Sequence, residues 1–301
     1  MSKPLSESTI KMYDVIMNKI ANDTGTKRDA TESFLRDTSK IIAYVSTKNS
    51  EHTKKNYYAT ILSFVRRLKF TEAIIAKYDA KMMESAAEVE ANYESNQMSD
   101  KQKANWITSS ELKSVINKLK ADVPTEVDTY AKYRKLIRYL VILIHSYLPL
   151  RNDLVNAKLY KDSDKPATLD KKINYIIIGS NPHIVLNNYK TEKTYGEKVL
   201  ALNAECASEL LKYYDELTSF SEAHWFLVRE NEDDHLTNKN FIDLFQSAFG
   251  GKKIGSTMLR HVAVSELYQV SPEQYKKEEA LASVMTHSVG TARLKYAKVL
   301  N

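Results

Sequence analysis

A chain of 301 residues is long enough for two domains, the larger able to enclose a full hydrophobic core. Its single cysteine, Cys206, excludes a disulfide-stapled scaffold and fits a reducing compartment, and its longest apolar run, residues 139–144 (YLVILI), is far too short to cross a bilayer. Lys plus Arg outnumber Asp plus Glu by 44 to 38, a net of +6 that permits a polyanionic partner without requiring one, while only 7 glycines and 6 prolines predict a mainly helical chain.

The opening MSKPLSESTI lacks the apolar stretch of a secretion signal, so an intracellular location is expected. Residues 1–83 carry 15 basic and 9 acidic side chains, a net of +6, so the basic excess is local. Within them Ile10, Tyr13, Ile16, Met17 and Ile20 recur at helical spacing behind a Ser8 or Thr9 cap, and Tyr57, Ile61, Phe64, Val65 and Leu68 repeat the pattern. A further helix is expected in ATESFLRDTSKIIAYVS between them. Lys54, Lys55, Arg66, Arg67 and Lys69 lie opposite an apolar stripe, a placement that suits either a solvated face or a polyanion-binding one. Residues 1–83 thus read as a small basic helical domain. Residues 84–105, acidic and poor in large apolar side chains, read as a linker with helical character in its first half.

The remainder, 106–301, opens with NWITSSELKSVINKLK, where Ser109 or Ser110 can cap a helix. A longer helix is expected from about Tyr130 to Tyr147, ended by Pro149. Three β-branched runs follow, NYIIIGS (174–180), HIVLNNY (183–189) and EKVLAL (197–202), which predict a small antiparallel sheet. Helical patterns return in NAECASELLKYYDEL, LTNKNFIDLFQSAF, STMLRHVAVSELYQV and TARLKYAKVL, with Cys206 expected as a small buried hydrophobe.

Chemistry concentrates in four places: Arg151 in LPLRNDL, Lys190 in YKTEKTYG, Arg260 in STMLRHVAVSEL, and His287 with Tyr296 in THSVGTARLKYAKV. Singly each is ordinary: Tyr296 is one of 19 tyrosines, His287 one of 7 histidines, and Lys193 and Lys198 rival Lys190. Their order and the nine-residue step from His287 to Tyr296 resemble the tyrosine recombinase (phage-type integrase) family, specifically from about residue 106 onward. That family has an arginine at a helix end, a lysine in a β-hairpin, a helix with His-x-x-Arg-His, and a His or Trp nine residues before a tyrosine nucleophile. The resemblance implies a mainly α fold: an N-terminal helical core-binding domain and an α+β catalytic domain with a small antiparallel sheet. It also implies double-stranded DNA as partner, with Lys54, Lys55, Arg66, Arg67 and Lys69 as its N-terminal contacts, a homotetramer on two DNA sites, and no membrane.

The residue types fit that chemistry. Two guanidiniums, Arg151 and Arg260, stay charged and donate paired hydrogen bonds to the non-bridging oxygens of a phosphodiester. A phenol with a free pKa near 10 becomes a nucleophile once cations stabilise its phenolate. Lys190 could protonate the leaving 5′-oxygen, and His287 could orient the phosphate. No Walker-type or dinucleotide glycine motif exists, and His183, His224 and His235 show no metal-ligand spacing, so neither a cofactor nor a metal is implied.

Two positions depart from the family. Thr257 stands where the first histidine of the motif is expected, and threonine cannot take a phenol's proton, which leaves water or a neighbour such as His261 as base. Only residues 297–301 follow Tyr296, so the C-terminal helix that many members exchange is expected to be absent or supplied by another segment. A type IB topoisomerase-like enzyme and a catalytically decayed DNA-binding protein are the alternative readings. The abundance of Lys, Asn and Tyr suggests an AT-rich coding sequence, and with it an integrase of a virus or mobile element.

Overall fold

A computed structural model describes residues 5–94 and 98–268 and, beyond them, Glu273, Lys276, Lys277, Glu278 and Ala280. The helical pattern in TARLKYAKVL lies outside the described residues. Two compact units are present, one containing Met1–Gln97 and the other formed by Met98–Lys277. Residues 84–94 lie within a helix that runs to Glu94.

In the first unit α1 (Glu7–Asp23) begins at Ser6, whose Oγ accepts from the Thr9 N–H, so the cap precedes the expected Ser8 or Thr9. The single helix expected next is broken into a 3₁₀ turn (Ser33–Arg36) and α2 (Thr38–Ser46), because the Asp37 carboxylate caps α2 by accepting from the Lys40 N–H at 3.1 Å. Helix α3 (Glu51–Arg67) packs against α4 (Glu72–Glu94), burying Ile61 and Val65 with Met17, Ile20, Leu35, Ile41 and Tyr78 in one apolar cluster. Lys69 adopts a left-handed conformation (φ 52°) just past α3, where the Phe70 N–H reaches the Val65 carbonyl and the Lys69 N–H that of Arg66.

The second unit begins with α5 (Asp100–Asn105) and α6 (Ser109–Ala121). The cap of α6 is Thr108 rather than Ser109 or Ser110, because Thr108 and Glu111 satisfy each other's backbone N–H groups reciprocally. Helix α7 (Tyr130–Tyr147) runs through the core and is buried on every side from Tyr139 to His145. The apolar run excluded as a membrane span is therefore a central core helix. Among the described residues no helix is long and apolar enough to cross a membrane.

The sheet follows: β1 (Ala157–Lys161), β2 (Asn174–Ile178), β3 (His183–Leu186) and β4 (Lys198–Ala201), in the order β1-β2-β3-β4. β2, β3 and β4 pair antiparallel as their sequences predict, but β1 adds to β2 in parallel, with Ala157 opposite Asn174. The sheet is therefore mixed. β1 escapes sequence reading because two of its five residues are lysines, and these lie over aromatic rings, Lys158 on Trp225 and Lys161 on Tyr214. Alternation along β2 and β3 serves two cores: Ile176, Ile178, Ile184 and Leu186 belong to the main core that also holds α7, while Tyr175, Ile177 and Val185 pack with Tyr160 in a second cluster. Gly179 ends β2 at φ 143°, with no room for a Cβ, which would meet the Asp162 carboxylate at 2.7 Å.

Between β3 and β4 the chain forms a single helical turn, α8 (Glu192–Tyr195). Helices α9 (Ala204–Lys212), α10 (Tyr214–Ser219), α11 (Asn238–Gln246) and α12 (Ser256–Tyr268) complete the unit. Cys206 is a free, buried thiol, and desolvation pushes its pKa up to about 12. It is an inert core residue.

Candidate functional site

An open cleft of about 640 Å³ lies in the second unit, and Arg151, Lys190, Thr257 and Arg260 all line it. They come from three segments far apart in sequence. Arg151 lies just past α7, Lys190 on the β3–β4 connection, and Thr257 and Arg260 one helical turn apart on α12. Of the lysines offered by the sequence, Lys190 lines the cleft, whereas Lys198, the first residue of β4, lies over the Tyr195 ring. The loop carrying Lys190 is pinned by Tyr189, whose buried ring sends its hydroxyl to the Gly196 carbonyl at 2.6 Å.

The two arginines are held by short-range geometry. The Arg260 Nη2 donates to the Thr257 Oγ1 at 2.8 Å, and the Arg151 N–H donates to the Asp153 carboxylate at 3.2 Å. Ser256 ties the start of α12 to the Arg151 loop by donating to the Asn152 Oδ1 at 3.0 Å. Burial, and then the charge of Arg151, push the Arg260 guanidinium below its usual value, with Asp153 acting the other way. Burial raises the Asp153 carboxyl above the ordinary carboxylate range against the pull of both arginines. The cleft thus presents one exposed guanidinium, Arg151, and one partly desolvated one, Arg260, beside the half-buried Asp153 carboxyl, a surface suited to an anion with several oxygens.

Three further residues matter here: His145 and Asn174 escaped sequence reading, and His235 was read only for metal-ligand spacing. His145 on α7 is buried with its Nδ1 2.8 Å from the Val141 carbonyl and its Nε2 3.1 Å from that of Arg151, and desolvation, reinforced by Arg260, lowers its pKa. A histidine directly after the apolar run in YLVILIHSY was the available signal. His235 lines the cleft, and its Nδ1 lies 2.7 Å from the Leu236 carbonyl, so in the neutral ring the Nε2 is the acceptor. His261, named from sequence as a possible base, is exposed and is not among the residues lining the cleft, since the step of about 100° from Arg260 turns it to another face. Asn174, the third, lies fully buried at the start of β2.

His287 and Tyr296 lie outside the described residues. In the first unit, Lys54 is engaged by Glu51 at 2.6 Å and Arg66 by Asp79 at 2.8 Å, while Arg67 lies over the Phe64 ring and Lys69 is exposed. Lys55 is half-buried. Three of these five candidate contacts are thus already occupied by intramolecular partners.

No protein-family model matches the chain, and no curated protein matches it. Among solved structures the chain is similar to the XerH site-specific recombinase, described in a post-cleavage complex with a palindromic difH substrate. The TM-score is 0.50 at 16% identity, covering 97% of this chain and 76% of that one. It is also matched to the XerA recombinase at 16% identity, covering 98% of this chain and 88% of that one, with a TM-score of 0.36. The likeness to XerH establishes the fold, the mainly helical fold with a small sheet that the sequence resemblance implied.

Proposed function

We propose that this protein is a DNA strand-exchange enzyme of the tyrosine recombinase type. The observation that carries this reading is the convergence of Arg151, Lys190, Thr257 and Arg260 on one cleft in a chain with the fold of a site-specific recombinase. Arg151 and Arg260 hold the non-bridging oxygens of the scissile phosphate, with His287 as a further donor. The Tyr296 Oη–phosphorus bond forms as the bond to the 5′-oxygen breaks, and Lys190 gives that oxygen its proton. Thr257 cannot accept the phenol's proton, so the base is assigned to His235, whose Nε2 carries no proton in this tautomer and lies 4.0 Å from the Asp234 carboxylate. The phosphotyrosyl bond conserves the energy of the broken one, so rejoining to a partner strand needs neither ATP nor a metal. DNA binding by this basic protein should weaken steeply with salt, because each phosphate contact releases counterions. Two DNA sites held by four protomers complete the proposal.

A nicked suicide substrate, whose leaving strand diffuses away, tests the reading. Wild type should accumulate a covalent protein–DNA adduct, and His235→Gln should form it about 100-fold more slowly. The Thr257 substitution favours one second reading, a DNA-binding protein with a decayed site. Duplex binding without any adduct would establish that reading instead.

A further inference from the structure

Asn174 is the first residue of β2, the strand that lies between β1 and β3. Its position in the sheet puts it next to two loops at once: residues 151–156, which lead into β1, and residues 187–190, which leave β3. The side chain is fully buried, and every polar group it has is used. The Oδ1 accepts the backbone N–H groups of Asn187 and Asn188, each at 2.8 Å. The Nδ2 donates to the Asp153 carbonyl at 2.7 Å, the Asn188 carbonyl at 2.9 Å and the Asn156 Oδ1 at 3.1 Å. The two N–H groups facing Oδ1 fix the orientation of the amide, since a flipped amide would set donor against donor.

Asp153 lies two residues after Arg151, and Asn188 two residues before Lys190. One buried carboxamide therefore joins the loop of the phosphate-holding arginine to the loop of the lysine. The two loops are otherwise anchored to different places. The Arg151 N–H is also fastened by Asp153, and its carbonyl lies 3.1 Å from the His145 Nε2. The Lys190 loop is fastened to the approach to β2, where Asn187 donates to the Ile173 carbonyl and Asn188 to that of Lys172, each at 3.0 Å. Losing the Asn174 amide would leave each loop attached to its own support and untied from the other.

We infer that Asn174 is a positioning residue that sets the reach of Lys190 relative to the phosphate held by Arg151. The inference rests on the proposed reaction, in which Lys190 protonates the leaving oxygen. Asn174→Asp is isosteric and keeps the acceptor for Asn187 and Asn188, but it removes the Nδ2 donor to Asp153, Asn156 and the Asn188 carbonyl. Asn174→Ser is an uncharged second variant in case a buried carboxylate prevents folding. Each is assayed on two nicked suicide substrates, one with oxygen and one with sulfur at the bridging 5′ position. Thiols ionise near pH 8.5, so a thiolate leaves without a proton and a misplaced Lys190 should not matter. The ratio of the two rates is taken on one preparation and is independent of the fraction folded.

On the oxygen substrate the variants should lose about 100-fold in adduct formation, the scale of an ångström of misplacement. On the sulfur substrate the loss should shrink at least tenfold, as it should for Lys190→Ala. Equal losses on both substrates would overturn the inference and leave the proposed reaction standing. Absence of adduct from wild type on both substrates would overturn the reaction itself, and the inference with it.

Discussion

The two walls of the cleft are built in opposite ways. Arg260 stands on the first turns of α12 and Arg151 on the short segment between α7 and β1, both flanked by main-core residues, Ile144 and Leu154 on either side of Arg151 and Leu259 and Val262 beside Arg260. Lys190 stands on a connection beside β4, an exposed edge strand where Val199 is 60% and nearby Tyr195 64% exposed. The difference matches the proposed tasks. Charge stabilisation gains most from donors that do not move, whereas a proton donor must follow the leaving oxygen as it departs. Rigid core supplies the first and a tethered loop the second.

Substitutions on the two walls should therefore fail differently. Arg260→Ala should cause the largest loss, about 1,000-fold in adduct formation on the nicked substrate, and the sulfur leaving group should not rescue it. Lys190→Ala should cost about 100-fold and be rescued by sulfur. If both variants respond alike to sulfur, the division of labour between the walls is wrong.

Beneath the arginine wall, His145 gives the core a pH dependence. Its folded pKa lies below that of the unfolded state, so the unfolded chain binds the extra proton as pH falls below about 6.5 and native stability declines. The decline should approach about 1.4 kcal/mol per pH unit until the folded pKa is reached. Urea titrations at pH 7.5 and 5.5 should show it, and His145→Gln should flatten it. An unchanged slope would mean that the ring is not neutral in the folded state.

The smallest effect is expected at Gly179, at the end of β2 remote from Asn174. An alanine there is strained at φ 143° and crowds Asp162, so Gly179→Ala should lower stability by about 1–2 kcal/mol while leaving the adduct rate of the folded protein within about twofold. A large rate effect would show that the whole sheet, and not its Asn174 end alone, positions Lys190.

Much of the fold was legible because it rests on local patterns. Helix α7 spans Tyr130–Tyr147, the limits its periodicity predicts, and β2 begins at Asn174 as expected. β3 ends at Leu186 instead of running on to 189, because the Asn187 and Asn188 N–H groups turn aside to the Asn174 side chain. That competition cannot be read from one strand, since it depends on which buried amide the loop meets. The same holds for the site. Arg151, Lys190, Thr257 and Arg260 could be named from motif order, whereas His145, Asn174 and His235 acquire their roles only when α7, β2 and the segment before α11 come together. Helix caps show the limit on a smaller scale: Ser109 and Ser110 were plausible, but Thr108 pairs reciprocally with Glu111.

The central claim is that this cleft serves a tyrosine nucleophile. Its most direct test is to incubate wild type and Tyr296→Phe with the same nicked, end-labelled DNA and resolve covalent adducts under denaturing conditions. Wild type should give a labelled protein band, released by protease digestion as a 3′-linked tyrosyl peptide, and Tyr296→Phe should give none while both proteins retain duplex binding. An adduct of equal yield from Tyr296→Phe, or none from wild type, would contradict the claim.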